Sequence, residues 1–221
     1  ANGELRAAYD WDAATATVAQ AVGCDRYPSV TELVEEGCRL GHISAFIGAG
    51  PTLQELSDSG TPLVALSNGF TRYQRPVMDA LGLSPYFLAL VSPEEAGTAK
   101  PDPEIFRAAG TAVGITDLQS AFHVGDTLIH DIVGAKAAGM RVLWMYPQLP
   151  SDIAAYPPWQ RAHHAKLPQL LATVASQEFA AGLYDFTPDQ LQPDAVVTSL
   201  EEIPTTIRQL SASSVNRPFI A

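Results

Sequence analysis

Short apolar runs alternate with helical stretches along the chain from residue 62 onward. Strands that are almost continuously apolar, and that are separated by helices, are typical of a parallel sheet covered on both faces. The pattern therefore predicts an α/β protein with a doubly wound parallel sheet. The predicted strands are Leu63–Leu66, Phe87–Val91, Ala121–Val124, Arg141–Tyr146 and Ala195–Val197. The predicted helices between them are Arg75–Leu81, Pro103–Ala109, Ile129–Ala138 and Glu201–Leu210.

Two regions depart from this alternation. Residues 1–60 have helical periodicity, as in Ala13–Val22, and Ser29 with Glu32 has the form of a capping box that begins a helix. Residues 147–192 are rich in proline and contain one amphipathic stretch, Pro168–Phe179. Segments of this length are lids, interaction surfaces or linkers, and composition does not choose among them. The aromatic side chains of residues 147–192 would suit packing on the rest of the chain or on a partner.

Composition excludes several classes of partner. Among 221 residues, 24 are acidic and 13 basic, which gives a net charge of −11. Nucleic-acid backbones and anionic membrane surfaces are therefore not expected partners. Two cysteines are too few for a disulfide framework or a zinc site, which favours a reducing cytoplasmic setting. No apolar run in the sequence approaches the ~20 residues that a membrane span needs.

Ligands of parallel sheets bind at the carboxyl ends of the strands, so the residues there deserve inspection. The first strand is followed by Ser67, Asn68 and Gly69. A hydroxyl, an amide and exposed backbone N–H groups could form a cradle for an oxyanion. The alternative is an ordinary turn in which Ser67 caps the next helix.

The second strand leads to Lys100, which precedes Pro101 and is one of only three lysines in the chain. The proline disfavours a helical backbone at Lys100 and holds it extended. A cation held at this edge of the sheet could bind phosphate, and the alternative is a solvated loop lysine. We expect Asp102 to cap the helix that begins at Pro103.

Two carboxylates follow the third strand. Asp126 falls at its end and Asp131 in the first turn of the next helix. Such a pair suits Mg²⁺, which takes one or two carboxylates together with waters and substrate phosphate. Stabilisation of a helix N-terminus is the alternative for Asp131, but it does not account for Asp126. His123, inside the apolar strand, is expected to be a satisfied core histidine.

Together these three elements resemble the haloacid dehalogenase superfamily of hydrolases over residues 60–146 and 194–210. Ser67 is similar to the family's second motif, Lys100 to its third, and Asp126 with Asp131 to its fourth. The resemblance implies a Rossmann-like core, at residues 61–146 and 193–212, with a small helical cap at residues 1–60 and an insertion at residues 147–192.

The first motif of the family, which carries an aspartate nucleophile, has no clear counterpart. The nearest segment is Asp10-Trp11-Asp12, and it would require residues 5–9, with Arg6 among them, to be the buried central strand. We therefore expect the nucleophile and its strand to lie upstream of Ala1. A non-catalytic relative, in which another segment fills the gap in the sheet, is the alternative.

The resemblance implies Mg²⁺-dependent hydrolysis of a small phosphorylated metabolite. Ser67, Asn68 and Lys100 would be catalytic, Gly69 would bind substrate, and Asp126 and Asp131 would hold the metal. Two alternatives remain: a scaffold or binding protein without activity, and a 2-haloacid dehalogenase, which the acidic fourth motif disfavours. We also expect that two copies of the chain could form a homodimer through the insertion or the cap.

Overall fold

The computed structural model describes residues 6–178 and 186–215. The chain divides into two compact units. Of the described residues, the first unit comprises 6–46 and 57–116, and the second comprises 47–56, 117–178 and 186–215. The predicted division into a cap at residues 1–60, a core at residues 61–146 and 193–212, and an insertion at residues 147–192 stays a prediction.

The regular elements follow in chain order. The helices are α1 (Trp11–Ala21), α2 (Val30–Arg39), α3 (Ala49–Asp58), α4 (Thr71–Ala80), α5 (Pro93–Ala96), α6 (Pro103–Ala112), α7 (Gly134–Ala137), α8 (Ser151–Ala154), α9 (Pro158–Arg161), α10 (Leu167–Glu178), α11 (Pro188–Leu191) and α12 (Ile203–Val215). The strands are β1 (Val64–Leu66), β2 (Ala89–Val91), β3 (Phe122–Gly125), β4 (Arg141–Met145) and β5 (Ala195–Val197). Short 3₁₀ turns occupy Ser84–Tyr86, Leu118–Ser120 and Leu200–Glu202, and Leu128–Val133 is π-helical.

All strand pairs are parallel, as predicted. In the first unit β1 pairs with β2, with Val64 opposite Ala89. In the second unit the order is β3-β4-β5, with Phe122 opposite Arg141 and Leu143 opposite Ala195. Within the described residues, β1 and β3 each have a single strand partner. The predicted α/β class with parallel strands is confirmed.

Local sequence signals predicted the bounds of most helices and strands to within a few residues of those in the structure. Ser29 caps α2 and forms the predicted capping box with Glu32. The helix predicted at Arg75–Leu81 begins earlier, at Thr71, and contains Pro76 in its interior. The helix predicted at Ile129–Ala138 is instead a π-helical segment followed by the short α7. Among the described residues, no helix is both long and apolar enough to cross a membrane.

The segment 147–192 is mostly helical and contributes to the core of the second unit. Its apolar side chains Ile153, Leu167 and Leu171 are 0–2% exposed. Arg161 is also buried and donates to both carboxylate oxygens of Glu202. The same guanidinium donates to the carbonyl oxygens of Ala154, Tyr156 and Val196. These bonds tie α9 to β5 and to its own preceding turn, so the segment is anchored along its first half.

Replacement of Arg161 by leucine is expected to lower the free energy of unfolding by about 3–5 kcal/mol, because it leaves the part-buried Glu202 carboxylate without its cationic partner and removes one donor from each of three carbonyl groups. The matched control is Arg208→Leu, which removes a pair with Glu55 whose side chains are 59% and 52% exposed. An exposed pair contributes about 0–1 kcal/mol. Urea denaturation measures both, and equal losses would contradict the role assigned to Arg161.

Candidate active site

Ser67 continues the line of β1 and begins the turn that follows it. Its backbone N–H donates to Val91 O at 3.1 Å, and its Oγ accepts from Gly69 N at 3.0 Å. The residue that caps α4 is Phe70, so the alternative of Ser67 as the helix cap is wrong. Within the described residues the Ser67 hydroxyl has no acceptor for its own proton. It can therefore donate a hydrogen bond to an anionic ligand.

Asn68 connects this turn to Lys100. The amide oxygen of Asn68 accepts from Lys100 N at 2.7 Å, and its Nδ2 donates to Lys100 O at 3.1 Å. Nδ2 also donates to the hydroxyl of Tyr9 at 2.8 Å. Both polar atoms of the side chain are thus engaged in holding the chain, and what Asn68 can offer a ligand is its backbone N–H. Asn68 and Lys100 are brought together, although by their backbone and amide groups.

The loop that carries Lys100 is fixed on its other side as well. Thr98 and Ala99 are buried, and Thr98 Oγ1 donates to Asp102 at 2.8 Å. Asp102 accepts from Glu104 N at 2.9 Å, which confirms that it caps α6. The backbone of Lys100 therefore lies between two anchored points, with its side chain half-buried.

Asp126 lies at the carboxyl end of β3, as predicted, and its side chain is exposed. Its backbone carbonyl accepts from Nε1 of the fully buried Trp144 at 3.0 Å. No donor within residues 6–178 and 186–215 reaches the Asp126 carboxylate. The structure thus holds this residue by its backbone and leaves both carboxylate oxygens available.

Asp131 is buried and its carboxylate is fully used. Oδ1 is 3.0 Å from Nε2 of His123, and Oδ2 accepts from Thr127 N at 3.1 Å and from Thr127 Oγ1 at 2.6 Å. His123 is accordingly a satisfied histidine, as predicted, and Asp131 is the group that satisfies it. The arrangement closes a ring of hydrogen bonds around the turn after Asp126.

Glu178, at the end of α10, is a residue of this site that sequence reasoning missed. Its two carboxylate oxygens accept from Leu128 N at 2.8 Å and from Ile129 N at 3.1 Å. Burial raises the pKa of Glu178, and the negative charges of Asp131 and Asp126 raise it further, despite the two backbone donors. No local pattern could have identified Glu178, since it lies 50 residues from Leu128 in the chain.

The Asp126 carboxylate could bind a cation that prefers oxygen ligands and takes few of them from the protein. In the part of the chain that the structure describes, no three His, Cys, Asp or Glu side chains form a metal-binding group. Mg²⁺ commonly takes one or two carboxylates and keeps several waters, and the unengaged Asp126 carboxylate meets that requirement.

Asp10 and Asp12 do not lie at the end of a strand. Tyr9 N donates to Arg6 O at 3.1 Å, so the chain turns before Asp10, and the alternative of a central strand at residues 5–9 is wrong for the described residues 6–9. Asp10 caps α1 through Ala13 N and accepts from Arg72 at 2.6 Å.

Asp12 instead accepts from Val30 N at 2.7 Å and from the hydroxyl of Thr31 at 2.7 Å. Both aspartates, together with Glu94, surround the guanidinium of Arg72. These carboxylates hold helices of the first unit together. A nucleophilic carboxylate needs an oxygen that is not paired with a cation, and Asp10 and Asp12 are both paired with Arg72.

The alanine variant of Gly125 is expected to lose about 1–3 kcal/mol of folding free energy. A Cβ built on Gly125 would overlap Cβ and Cγ of Asp131, which cannot move because His123 and Thr127 hold its carboxylate. The control is Gly37→Ala in α2, where a Cβ meets nothing and alanine should gain about 0.5–1 kcal/mol. Urea denaturation should show opposite signs, and a neutral Gly125 variant would refute the close packing.

The stability contributed by Asp12 should depend on pH. Burial opposes its ionisation, but the hydrogen bonds from Thr31 and Val30, and that from Arg72, outweigh burial and lower the pKa of Asp12 from 3.8. A lowered pKa in the folded state stabilises the protein above the unfolded-state pKa, and this stabilisation disappears as the pH falls through the folded-state value. Asp12→Asn should therefore destabilise the protein at pH 7, and the difference from the wild type should begin to shrink below about pH 4 and disappear only below the folded-state pKa. The exposed Asp25→Asn variant should track the wild type throughout, and an Asp12 deficit that persists at low pH would contradict this cause.

Comparison with known proteins places these features in a family. A model of haloacid dehalogenase-like hydrolases matches residues 6–139, more than half of the chain. Pyrimidine 5'-nucleotidase YjjG of Escherichia coli (strain K12) is 37% identical over 109 residues, 48% of this chain and 48% of that protein. The phosphoserine phosphatase of Thermus thermophilus is 37% identical over 106 residues, 48% of this chain and 42% of that protein. The match thus spans about half the length of these curated relatives or less.

A solved structure agrees at the level of the fold. The crystal structure of a HAD phosphatase from Thermococcus onnurineus superposes with a TM-score of 0.60 at 22% identity, covering 86% of this chain and 68% of that one. The shared fold confirms the Rossmann-like class that the motifs indicated. On the evidence of the family model, the chain belongs to the haloacid dehalogenase-like hydrolases.

Proposed function

We propose that the complete protein hydrolyses a small phosphorylated metabolite in a Mg²⁺-dependent reaction. The observation that carries the proposal is the Asp126 carboxylate, which is exposed, has no hydrogen-bond donor in the described chain, and sits on a loop whose backbone is held on both sides. The names of the Escherichia coli and Thermus thermophilus relatives, a nucleotidase and a phosphatase, support phosphoester chemistry.

Electrostatics favours a cation at this position. Asp126, Asp131 and Glu178 place three carboxylates near one another, and their repulsion is part of what raises the pKa of Glu178. A divalent cation bound by Asp126 would relieve that repulsion and, when bound, would neutralise charge on the substrate phosphate. The engaged oxygens of Asp131 favour a role in orienting the loop rather than in direct coordination.

Residues of the first unit offer groups that could bind a phosphate. The Ser67 hydroxyl and the backbone N–H of Asn68 can donate hydrogen bonds to phosphate oxygens, and the Lys100 ammonium can balance their charge. The Asn68 side chain would contribute by holding Lys100 in place. Asp10 and Asp12 are engaged by Arg72, so neither is assigned as the nucleophile.

The setting of the reaction is also part of the proposal. Cys24 and Cys38 are free thiols, which suits a reducing cytoplasmic location. Association of two copies through the insertion or the helices of residues 1–60 is compatible with the chain and stays a prediction.

Asp126→Asn is expected to reduce Mg²⁺-dependent hydrolysis of p-nitrophenyl phosphate by the complete protein at least 100-fold, because it removes the charge that binds the metal. Steady-state kinetics with and without EDTA measure this. Asp189→Asn, an exposed aspartate in the first turn of α11, is the control and should retain wild-type turnover. Hydrolysis by the wild type that proceeds unchanged in EDTA would contradict the role of Asp126.

The two alternative functions make different predictions. A scaffold without an intact site should show no thermal stabilisation by Mg²⁺, whereas an intact site should gain about 2.7 kcal/mol at 100 times the dissociation constant. A 2-haloacid dehalogenase should release halide from a 2-haloacid without added metal. Either result, in the absence of phosphatase activity, would replace the proposal.

A further inference from the structure

We propose that Glu178 is a positioning residue for the candidate metal site, through which the insertion 147–192 sets the geometry and the cation affinity of the Asp126 loop. The inference rests on the proposed Mg²⁺-dependent function and deepens it. It gives the insertion a definite role as a support for the site, in place of the lid, partner surface or linker that its composition left open.

The backbone of the loop depends on side-chain carboxylates. Thr127, Leu128 and Ile129 follow Asp126, and the N–H group of each donates to a carboxylate, the first to Asp131 and the other two to Glu178. Leu128 and Ile129 are at most 2% exposed, so water cannot replace Glu178 without a rearrangement. The three residues after Asp126 are therefore held in one conformation.

Glu178 is itself held by a well-packed helix. Leu167 and Leu171 of α10 are buried in the second unit, which fixes the axis that carries Glu178. On the other side of the loop, Trp144 donates to the carbonyl of Asp126. The peptide group after Asp126 is thus held at its carbonyl by Trp144 and at its N–H by Asp131, while no described residue donates to the Asp126 carboxylate, which is the arrangement expected of a preorganised ligand.

The charge of Glu178 lies where elementary electrostatics disfavours it. The negative charges of Asp131 and Asp126 lie near Glu178 and disfavour a further charge there. The two N–H groups bond to different oxygens of Glu178, and a neutral amide has an acceptor oxygen for only one of them. A cation on Asp126 would turn the same negative charge into an attractive contribution, so we infer that the charge contributes to cation affinity.

Three variants of the complete protein test this. Glu178→Ala removes both acceptors, Glu178→Gln keeps the length and one acceptor without the charge, and Gln177→Ala is the control on the exposed side of the same helix turn. Amide hydrogen exchange of Leu128 and Ile129 is measured in metal-free protein. The Mg²⁺ concentration at half-maximal thermal stabilisation is measured separately, followed by that for half-maximal p-nitrophenyl phosphate hydrolysis.

We expect Glu178→Ala to expose the two amides to faster exchange and to raise the half-maximal Mg²⁺ concentration by about 10-fold or more, within the range seen for groups that support metal ligands. Glu178→Gln should raise the Mg²⁺ concentration severalfold with a smaller change in exchange. Gln177→Ala should change neither measurement. Because Glu178→Gln preserves an acceptor, it keeps the test decisive if Glu178→Ala fails to fold.

Two outcomes would overturn the inference alone. If the wild type responds to Mg²⁺ but Glu178→Gln has the same half-maximal concentration, Glu178 does not influence the site. Faster exchange or a lower melting temperature with an unchanged Mg²⁺ response would show a helix support without a positioning role. A wild type that shows no Mg²⁺ response at all would overturn the proposed function and this inference together.

Discussion

Hydrogen bonds from backbone N–H groups to buried carboxylates determine the shape of the loop after β3. Asp131 accepts from Thr127, and Glu178 accepts from Leu128 and Ile129. A buried N–H without an acceptor would cost about 1–3 kcal/mol, so the conformation of this loop depends on these two side chains. The π-helical segment Leu128–Val133 begins where they act, and the small size of Gly125 lets Asp131 approach β3 closely enough to reach Thr127.

In the first unit a neutral side chain, the amide of Asn68, holds the backbone of a loop in a similar way. The amide of Asn68 bonds to both backbone groups of Lys100, and thereby joins the turn after β1 to the loop after β2. An amide suits this task because it both donates and accepts, whereas a carboxylate could satisfy only the N–H. In each unit the residue with the candidate chemical role, Lys100 or Asp126, is held by its backbone. Its functional group does not have to provide that restraint.

The features that the sequence predicted depend on neighbours in the chain. Apolar runs gave the five strands, Ser29 with Glu32 gave the capping box of α2, and Asp102 gave the cap of α6. The features it did not predict join distant segments, such as Glu178 with Leu128 and Arg161 with Glu202. Hydrogen bonds of that kind follow from how helices pack on the sheet, which periodicity does not determine.

The two carboxylates of the fourth motif illustrate how structure separates roles that a motif treats as equal. Asp126 and Asp131 both appeared as metal ligands because spacing alone shows that carboxylates are present near a strand end. In the structure each oxygen of Asp131 is engaged, by His123 and by Thr127, whereas no residue that the structure describes donates to either oxygen of Asp126. A carboxylate that already accepts such bonds would have to give them up to bind a cation directly, and the Thr127 N–H would then lose its acceptor. In the proposed site, coordination by Asp126, with Asp131 and Glu178 fixing the loop that carries it, would avoid that cost.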